Sequence, residues 1–391
     1  MSLVQPMTIA ILVATGMGVA LLGSVKVALA RKLQMDEARV GGLISMFAIA
    51  MIPVILSAGF LTDLVGKQPV VLGGCALMAV SLVVLGAAGT YLAAVVAVLL
   101  LSAAWAALVN VINPIAVMAF GGSETYAMNL ACFYFGVGAF ATPLAVRFLL
   151  QRIGLSKALL VLAALVLAIG VLGGATDFST LTVAPAEPSA TGPATRAAPG
   201  LTSLLTNPVL WLCTLALLFY GPLEAATGAW TTTYLGDKGL GESAASGLLS
   251  AFWLAFTASR LATALGARAL DLPPGSETIV ILVSAAGAAV ALSGMVWARG
   301  RAMAVAMVIA AGVVYGPIYP TIMAVLLGHV DPSLHGRAVG LLFAIGGIGT
   351  ATIPAAMGAY AKRTSVQRGF LIAVASAVAL TAVAVVLTLR S

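Results

Sequence analysis

Charge is what this sequence has least of. Only 8% of its 391 residues are Asp, Glu, Lys or Arg, against 62% that are hydrophobic. A water-soluble domain needs roughly a quarter of its residues charged to solvate its surface, so that class is excluded. Histidine is nearly missing: His329 and His335 are the two. Isolated as they are, they read as solvated or capping residues and make no metal site. The three cysteines, Cys75, Cys132 and Cys213, each lie inside an apolar run with no pair spacing for a metal or a disulfide, as buried small side chains do. There is no H-E-x-x-H, no G-x-S-x-G and no carboxylate pair within an apolar run, which argues against an enzyme. There is also no G-x-x-x-x-G-K-[ST] loop, which argues against nucleotide coupling. No cofactor is expected. The net charge of +7 is small for this length, and its basic residues lie in loops without interleaved aromatics. They read as membrane flanks and not as a nucleic-acid surface.

What the chain has in abundance is apolar runs. An α-helix needs about 20 such residues to cross the ~30 Å hydrocarbon core of a bilayer. Charges, Pro and Gly divide the sequence into twelve candidate spans: 7–30, 40–62, 69–89, 91–118, 125–149, 156–176, 207–235, 243–265, 277–297, 302–327, 335–360 and 368–389. The first run continues past 20 residues, with no basic stretch before it and no small-residue cleavage site, and is expected to be a span and not a signal peptide. Between the sixth and seventh spans lies TDFSTLTVAPAEPSATGPATRAAPG (176–200). A segment so rich in Pro, Ala, Ser and Thr buries too little apolar surface to fold and is expected to be a mobile linker. The predicted organisation is an N-terminal six-helix bundle (1–175), a cytoplasmic linker (176–206) and a C-terminal six-helix bundle (207–391).

The two halves resemble each other. GVGAFATP (136–143) in the fifth span matches GIGTATIP (347–354) in the eleventh, pairing Gly136 with Gly347 and Pro143 with Pro354. NPIAVM (113–118) corresponds to YPTIMA (319–324), and GFLTDLVGK (59–67) aligns with SRLATALGA (259–267). Three matches in the same order, offset by about 200 residues, indicate duplication. No strand precedes the G-x-G pairs, so they are expected to let helices pack closely and not to bind a dinucleotide.

Gly59, Asp63, Gly66 and Lys67 in GFLTDLVGK resemble the loop between the second and third spans of the major facilitator superfamily, which runs Gly-x-x-x-Asp-x-x-Gly and then basic residues. The resemblance covers the whole chain and implies an all-α membrane protein, with twelve transmembrane helices in two pseudo-symmetric six-helix bundles. The glycines permit a tight cytoplasmic turn. The carboxylate is expected to face the positive end of a neighbouring helix, worth roughly 0.3–1 kcal/mol and more when partly buried. That helix is the eleventh, whose start DPSLHGR (331–337) shows an N-cap Asp331 followed by Pro332. Such a contact ties the two halves on the cytoplasmic side and breaks when that side opens. Thr263 occupies the symmetry-related position and Gln68 replaces the usual second basic residue, so the lock is one-sided.

Within the superfamily the chain looks most like the fucose–galactose–proton symporter family. NP (113–114) with NLACFYFGVGAFATP (129–143) resembles its fourth and fifth spans, and GPLEAATGAWTTTYL (221–235), with Glu224, Gly228 and Trp230, its seventh. FWLAFTASRL (252–261) and GPIYPTI (316–322) follow its eighth and tenth. The sugar symporters of that family carry proton-taking acids in the first and fourth spans. Here the first span has none and Val109 stands four residues before Asn113, so the resemblance does not extend to proton coupling.

Glu224 is the one carboxylate deep within a span. Burying it there costs about 2.5–3.5 kcal/mol on insertion scales, so it should face a wet cavity or a partner. Lys26, late in the first span, either pairs with Glu224 at similar depth or snorkels to the outer interface. Asn110 and Asn113 share a helix face and Asn129 opens the fifth span; they hydrogen-bond a solute or brace helices. Tyr134, Tyr220, Trp230, Tyr315 and Tyr319 stack on a sugar face or pack against neighbours. Arg260 and Arg337 complete the gating set with Lys26, Glu224, Gly59, Asp63, Gly66 and Lys67. With GFLTDLVGK placed in the cytoplasm, the termini lie there too. Six Lys and Arg then fall inside (67, 196, 260, 268, 337, 390) and twelve outside (31, 32, 39, 147, 152, 157, 238, 299, 301, 362, 363, 368). This reverses the positive-inside rule.

The expected function is secondary transport of a small, sugar-like polar solute by alternating access. Protons are a candidate coupling ion through Glu224. The alternative is export of small organic anions or amphipathic metabolites, for which an external basic face would concentrate anions. A monomer in a bacterial inner membrane, contacting lipid, solute and no nucleic acid, completes the expectation.

Overall fold

The computed structural model describes residues 3–176, 178, 201–270 and 275–390. Of the expected linker, residue 177 and residues 179–200 lie outside the described residues, while Leu201–Leu205 at its end form a short helix, α6. The other helices are α1 (Val4–Leu33), α2 (Glu37–Val65), α3 (Lys67–Ala87), α4 (Tyr91–Phe120), α5 (Glu124–Gly174), α7 (Pro208–Asp237), α8 (Glu242–Ala269), α9 (Ser276–Trp297), α10 (Arg301–Tyr315), α11 (Ile318–His329), α12 (His335–Arg363) and α13 (Val366–Arg390). Among the described residues, eleven helical segments are long and apolar enough to span a bilayer. One of them, α5, runs for 51 residues and is interrupted at Gly154 (φ 74°, ψ 173°), so it supplies two crossings. Twelve crossings result, as the sequence predicts.

The breaks follow from side-chain chemistry. Gly66, at φ 87°, is the single residue between α2 and α3, in a region where an L side chain is strained. Asp36, Thr90 and Asn207 accept hydrogen bonds from the first-turn amides of Arg39, Ala93 and Val209, capping α2, α4 and α7. The tenth crossing is broken between α10 and α11 at Gly316 and Pro317. Pro317 and Pro320 have no N–H, so the carbonyls of Val313 and Gly316 lose their intrahelical donors.

The chain divides into two compact units, and neither is a plain half of the sequence. One comprises residues 1–121, 134–200 and 331–340; the other comprises 122–133, 201–330 and 341–391. In the first unit α4 is central, packed against α1, α2 and α3. Its buried face is mostly Ala, Val, Leu and Ile, interrupted by Ser102, Trp105, Asn110, Asn113 and Pro114. In the second, α7 packs on α13, α11 and α8, and α9 on α13, α10 and α11.

The second glycine of each G-x-G pair lies where helix backbones approach closely. A Cβ on Gly138 of α5 would strike the Val13 carbonyl of α1, and one on Gly16 the Phe135 carbonyl. In the second unit a Cβ on Gly349 of α12 would strike the Leu218 carbonyl of α7. Gly138 and Gly349 are equivalent positions in the repeat, and each brings a helix backbone against the first helix of its own half.

Candidate functional site

Two polar constellations stand out within these apolar bundles, one in each unit. The first is built on the end of α2. Asp63 lies in its last turn, and its side chain is 4% exposed. Its Oδ1 accepts from the amide of Gly336 at 2.9 Å and its Oδ2 from the amide of Arg337 at 3.0 Å. These are first-turn N–H groups of α12, which have no intrahelical acceptor, so an anion there answers both the orphan donors and the helix dipole. Arg337 Nε adds an ion pair to Oδ2 at 3.4 Å, with its guanidinium 5.2 Å from the Phe60 ring centre. Gly59 lies one turn back on α2, and the backbones meet there: a Cβ on Gly59 would collide with the Gly336 carbonyl, and one on Gly336 with Gly59. Asn110 of α4 completes the cluster, donating to the Gly336 carbonyl at 2.9 Å and to Ile55 O at 3.4 Å, and accepting from Thr62. The turn predicted from GFLTDLVGK therefore grips residues 331–340, as its acid and glycines imply.

The neighbours of this cluster have settled roles. Lys67 contributes charge beside Asp63, and its Nζ lies 3.3 Å from Met118 Sδ. Gln68, where a second basic residue is usual, donates to the Gly174 carbonyl at the end of α5. Asp331 caps the 3-10 turn Pro332–Leu334, accepting from the amide and hydroxyl of Ser333. Those two hydrogen bonds hold its carboxyl below the ordinary carboxylate value.

The second constellation lies on α7, α8 and α10. Tyr220 Oη stands 3.0 Å from Glu224 Oε2, one turn along α7, and 3.0 Å from the Tyr315 carbonyl at the end of α10. Tyr315 Oη is 3.4 Å from Thr227 Oγ1, one turn beyond Glu224. Glu224 is partly exposed, whereas Tyr220, Thr227 and Tyr315 are buried. Arg260 of α8 is buried too; its Nε donates to the Gly316 carbonyl at 3.0 Å and its Nη1 to the Cys132 carbonyl at 3.2 Å. The Gly316 carbonyl is the one that Pro320 deprives of a helical donor, so the arginine fills a vacancy that the proline made. Its guanidinium lies over the Phe256 ring at 4.2 Å and acts electrostatically on Glu224. Glu224 thus has a local partner in Tyr220; Lys26 is exposed on α1.

The remaining predicted residues are dispersed. Asn113 donates to the Val109 carbonyl of its own helix at 2.7 Å. Asn129 donates to Thr125 O at 3.0 Å and lies 3.3 Å from Thr321 Oγ1 of α11. Tyr134 stacks on Phe120, and Tyr319 leans on Phe343. Trp230 packs over Gly358 and lines a cleft of about 500 Å³ with Pro354, Lys362 and Arg363. Sequence reasoning did not reach Thr321, Phe256 or the Lys362–Arg363 pair as site residues. Pro320 was the available signal for the unmet Gly316 carbonyl that Arg260 fills. Nothing in the sequence points Lys362 toward Trp230, since 132 residues separate them (362 minus 230).

A sequence model of the Major Facilitator Superfamily matches residues 8–354. The chain is 29% identical over 179 residues to Bypass of stop codon protein 6 of Saccharomyces cerevisiae, a match covering 44% of this chain and 36% of that protein. It therefore spans about a third of the length of that curated relative. Among solved structures, FucP, the fucose:proton symporter of E. coli, described in the outward conformation, superposes with a TM-score of 0.76 at 17% identity over 98% of each chain. The human organic anion transporter MFSD10 superposes at 0.74 with 17% identity, again over 98% of each chain. At such identities the likeness carries the fold.

Proposed function

This chain belongs to the Major Facilitator Superfamily, and from that premise we propose that it moves a small, hydroxyl-bearing, sugar-like solute across the membrane as a secondary active transporter. Two six-helix bundles working by alternating access suit such a solute. The observation that carries the solute class is the run of hydroxyl and carboxylate groups on α7 and α10. Glu224 is its partly exposed member, with Tyr220, Thr227 and Tyr315 behind it. An acid in the middle of a spanning helix is retained at a cost and is most economically explained by work on a solute or an ion. In this reading the protein is a monomer in a bacterial inner membrane. Both termini and the Asp63 turn are cytoplasmic, and protons are the candidate driving ion.

One observation favours a second reading, export of small organic anions. The cleft beside Trp230 carries Lys362 and Arg363, a combination of ring and cations suited to an aromatic carboxylate. Binding and counterflow measured on purified protein in proteoliposomes, across a panel of neutral sugars and organic anions, separate the two. Saturable sugar counterflow that is lost in Glu224→Ala supports the first. Anion flux that is lost in Lys362→Ala and indifferent to Glu224 supports the second. No flux for either class would overturn both.

A further inference from the structure

Tyr220 has one hydroxyl hydrogen and two claims on it. Its oxygen stands 3.0 Å from Glu224 Oε2 and 3.0 Å from the Tyr315 carbonyl. A carbonyl only accepts, and so does an ionised carboxylate. If Glu224 is ionised, the hydrogen serves one of them and the other contact sets two oxygens together with no proton between. If the hydrogen goes to Glu224, the Tyr315 carbonyl is left unmet where solvent does not reach, Tyr220 and Tyr315 being 1% and 0% exposed. If it goes to Tyr315, the Glu224 and Tyr220 oxygens face each other at 3.0 Å with no proton between them. If Glu224 carries a proton, it donates to Tyr220 Oη and Tyr220 donates to the Tyr315 carbonyl. One added hydrogen closes both contacts.

We infer that Glu224 binds a proton in this arrangement and that the Tyr220 hydroxyl relays its presence to the break in the tenth crossing. The inference rests on Glu224 being the working acid of α7, and it assigns the proton as what that acid binds. The relay has a defined end. Tyr315 and Gly316 present consecutive carbonyls where α10 stops before Pro317; Tyr220 stands at the first and Arg260 Nε holds the second. Pro317 and Pro320 remove helical hydrogen bonds at this point, so the two side chains take over part of the work of the helical ladder. When Glu224 releases its proton to water on its exposed side, the carboxylate becomes the stronger acceptor. It draws the Tyr220 hydrogen to itself, and the Tyr315 carbonyl is let go. No hydrogen leaves Tyr220; its hydroxyl only turns.

The surroundings of Glu224 supply a single charge to oppose or favour this. On the elements packed against α7, α8 brings Arg260, α10 brings Tyr315, and α11 brings Tyr319, whose ring leans on Phe343. Cys132 lies within electrostatic range. The central turns of α12 and α13 contain no acid or base.

Infrared difference spectra of the full chain in lipid nanodiscs, between acidic and alkaline buffer and with no solute added, test the proton site. The expected result is a protonated-carboxyl band that vanishes at alkaline pH. It should be absent in Glu224→Gln and displaced toward the frequency of a free acid in Tyr220→Phe. Hydrogen exchange at the amides of Ile318, Tyr319, Thr321 and Ile322 tests the relay. After correction for intrinsic rates, the wild type should be slower by about three- to tenfold in acid, the factor that one net hydrogen bond is worth. Glu224→Gln should be slow at both pH values, because its amide donates to Tyr220 as the acid does. A pH-dependent band that survives in Glu224→Gln, or identical pH dependence of exchange in variant and wild type, overturns the inference. Flux bears on the other reading: solute transport without the band leaves the proton site refuted and the transporter standing. The band without flux for any tested solute does the reverse.

Discussion

The ends of α2 and α8 are equivalent in the duplication, and they solve the same problem with opposite charges. At the end of α2, Asp63 accepts from two amides that open α12. Near the end of α8 the aligned stretch has no acid, and Arg260 instead donates to two carbonyls, Gly316 and Cys132. Arg268, a little further along α8, donates to Tyr126 Oη at 3.2 Å. In each unit the helix end holds a segment from the other half of the sequence: residues 331–340 in one and residues 122–133 in the other. An N-terminus offers bare N–H groups and calls for an anion, whereas carbonyls, here one of them freed by Pro320, call for a cation. The attachment is present in both halves, each with the charge that its own partner requires.

The largest test of that difference is Asp63→Ala. It strips two acceptors and an ion pair from a side chain that is 4% exposed. It should cost about 3–5 kcal/mol, as for one partner of a buried pair, and should speed hydrogen exchange at Gly336 and Arg337 before any other amide of α12. Asp63→Asn keeps one acceptor and should lose roughly half as much. Exchange at those two amides equal to wild type would show that the contact contributes nothing.

A steric contrast comes next. Gly59→Ala forces a Cβ against the Gly336 carbonyl and should lower thermal stability in detergent by about 1–3 kcal/mol. Gly266→Ala, at a position on α8 with open space around it, should cost nothing and gain up to about 1 kcal/mol from helix propensity. If both variants melt alike, the close approach of α2 and α12 is not what makes Gly59 necessary.

Arg260→Lys keeps the cation and loses the fork, so one of the two carbonyl contacts goes, at about 1–2 kcal/mol where it is the Gly316 carbonyl, which has no helical donor. The loss should appear as faster exchange around the α10–α11 break, with residues 331–340 unaffected. Spread of the effect to both places would mean that the two attachments are coupled.

The smallest effect concerns Asp331, which caps the turn leading into α12. Its Ala variant should cost about 1 kcal/mol. The folded carboxyl sits below its ordinary value because Ser333 donates to it twice. Its contribution is therefore complete above the ordinary carboxylate range and disappears as pH falls through the folded value. Melting curves of wild type and Asp331→Ala should converge at acid pH and separate at neutral pH; a constant gap would rule out the titration.

Legibility from the sequence varied with the range of the interaction. Crossings were readable because a run of 20 apolar residues has one stable use in a bilayer. Gly66 and Asp63 were readable through the resemblance of GFLTDLVGK to the superfamily's loop between the second and third spans, which places a glycine turn and an acid facing a helix start. Asn110 was less so: its amide could equally have met a solute, and only its position beneath Gly336 commits it to bracing. Trp230 is similar, since the lysine and arginine that share its cleft come from a distant helix.

Local composition determined the crossings and most of their breaks, because bilayer thickness, missing N–H groups and positive φ act on a few neighbouring residues at a time. The two related halves were legible from three motifs matched in the same order. The tertiary structure decided which half holds which helix start. It placed residues 331–340 with the first half and 122–133 with the second. It also brought Arg260 to the Gly316 carbonyl at the α10–α11 break and set one phenol hydroxyl between Glu224 and the Tyr315 carbonyl. Those outcomes depend on which backbones approach closely enough to be hydrogen-bonded, and that is a property of packed helices that no single stretch of sequence carries.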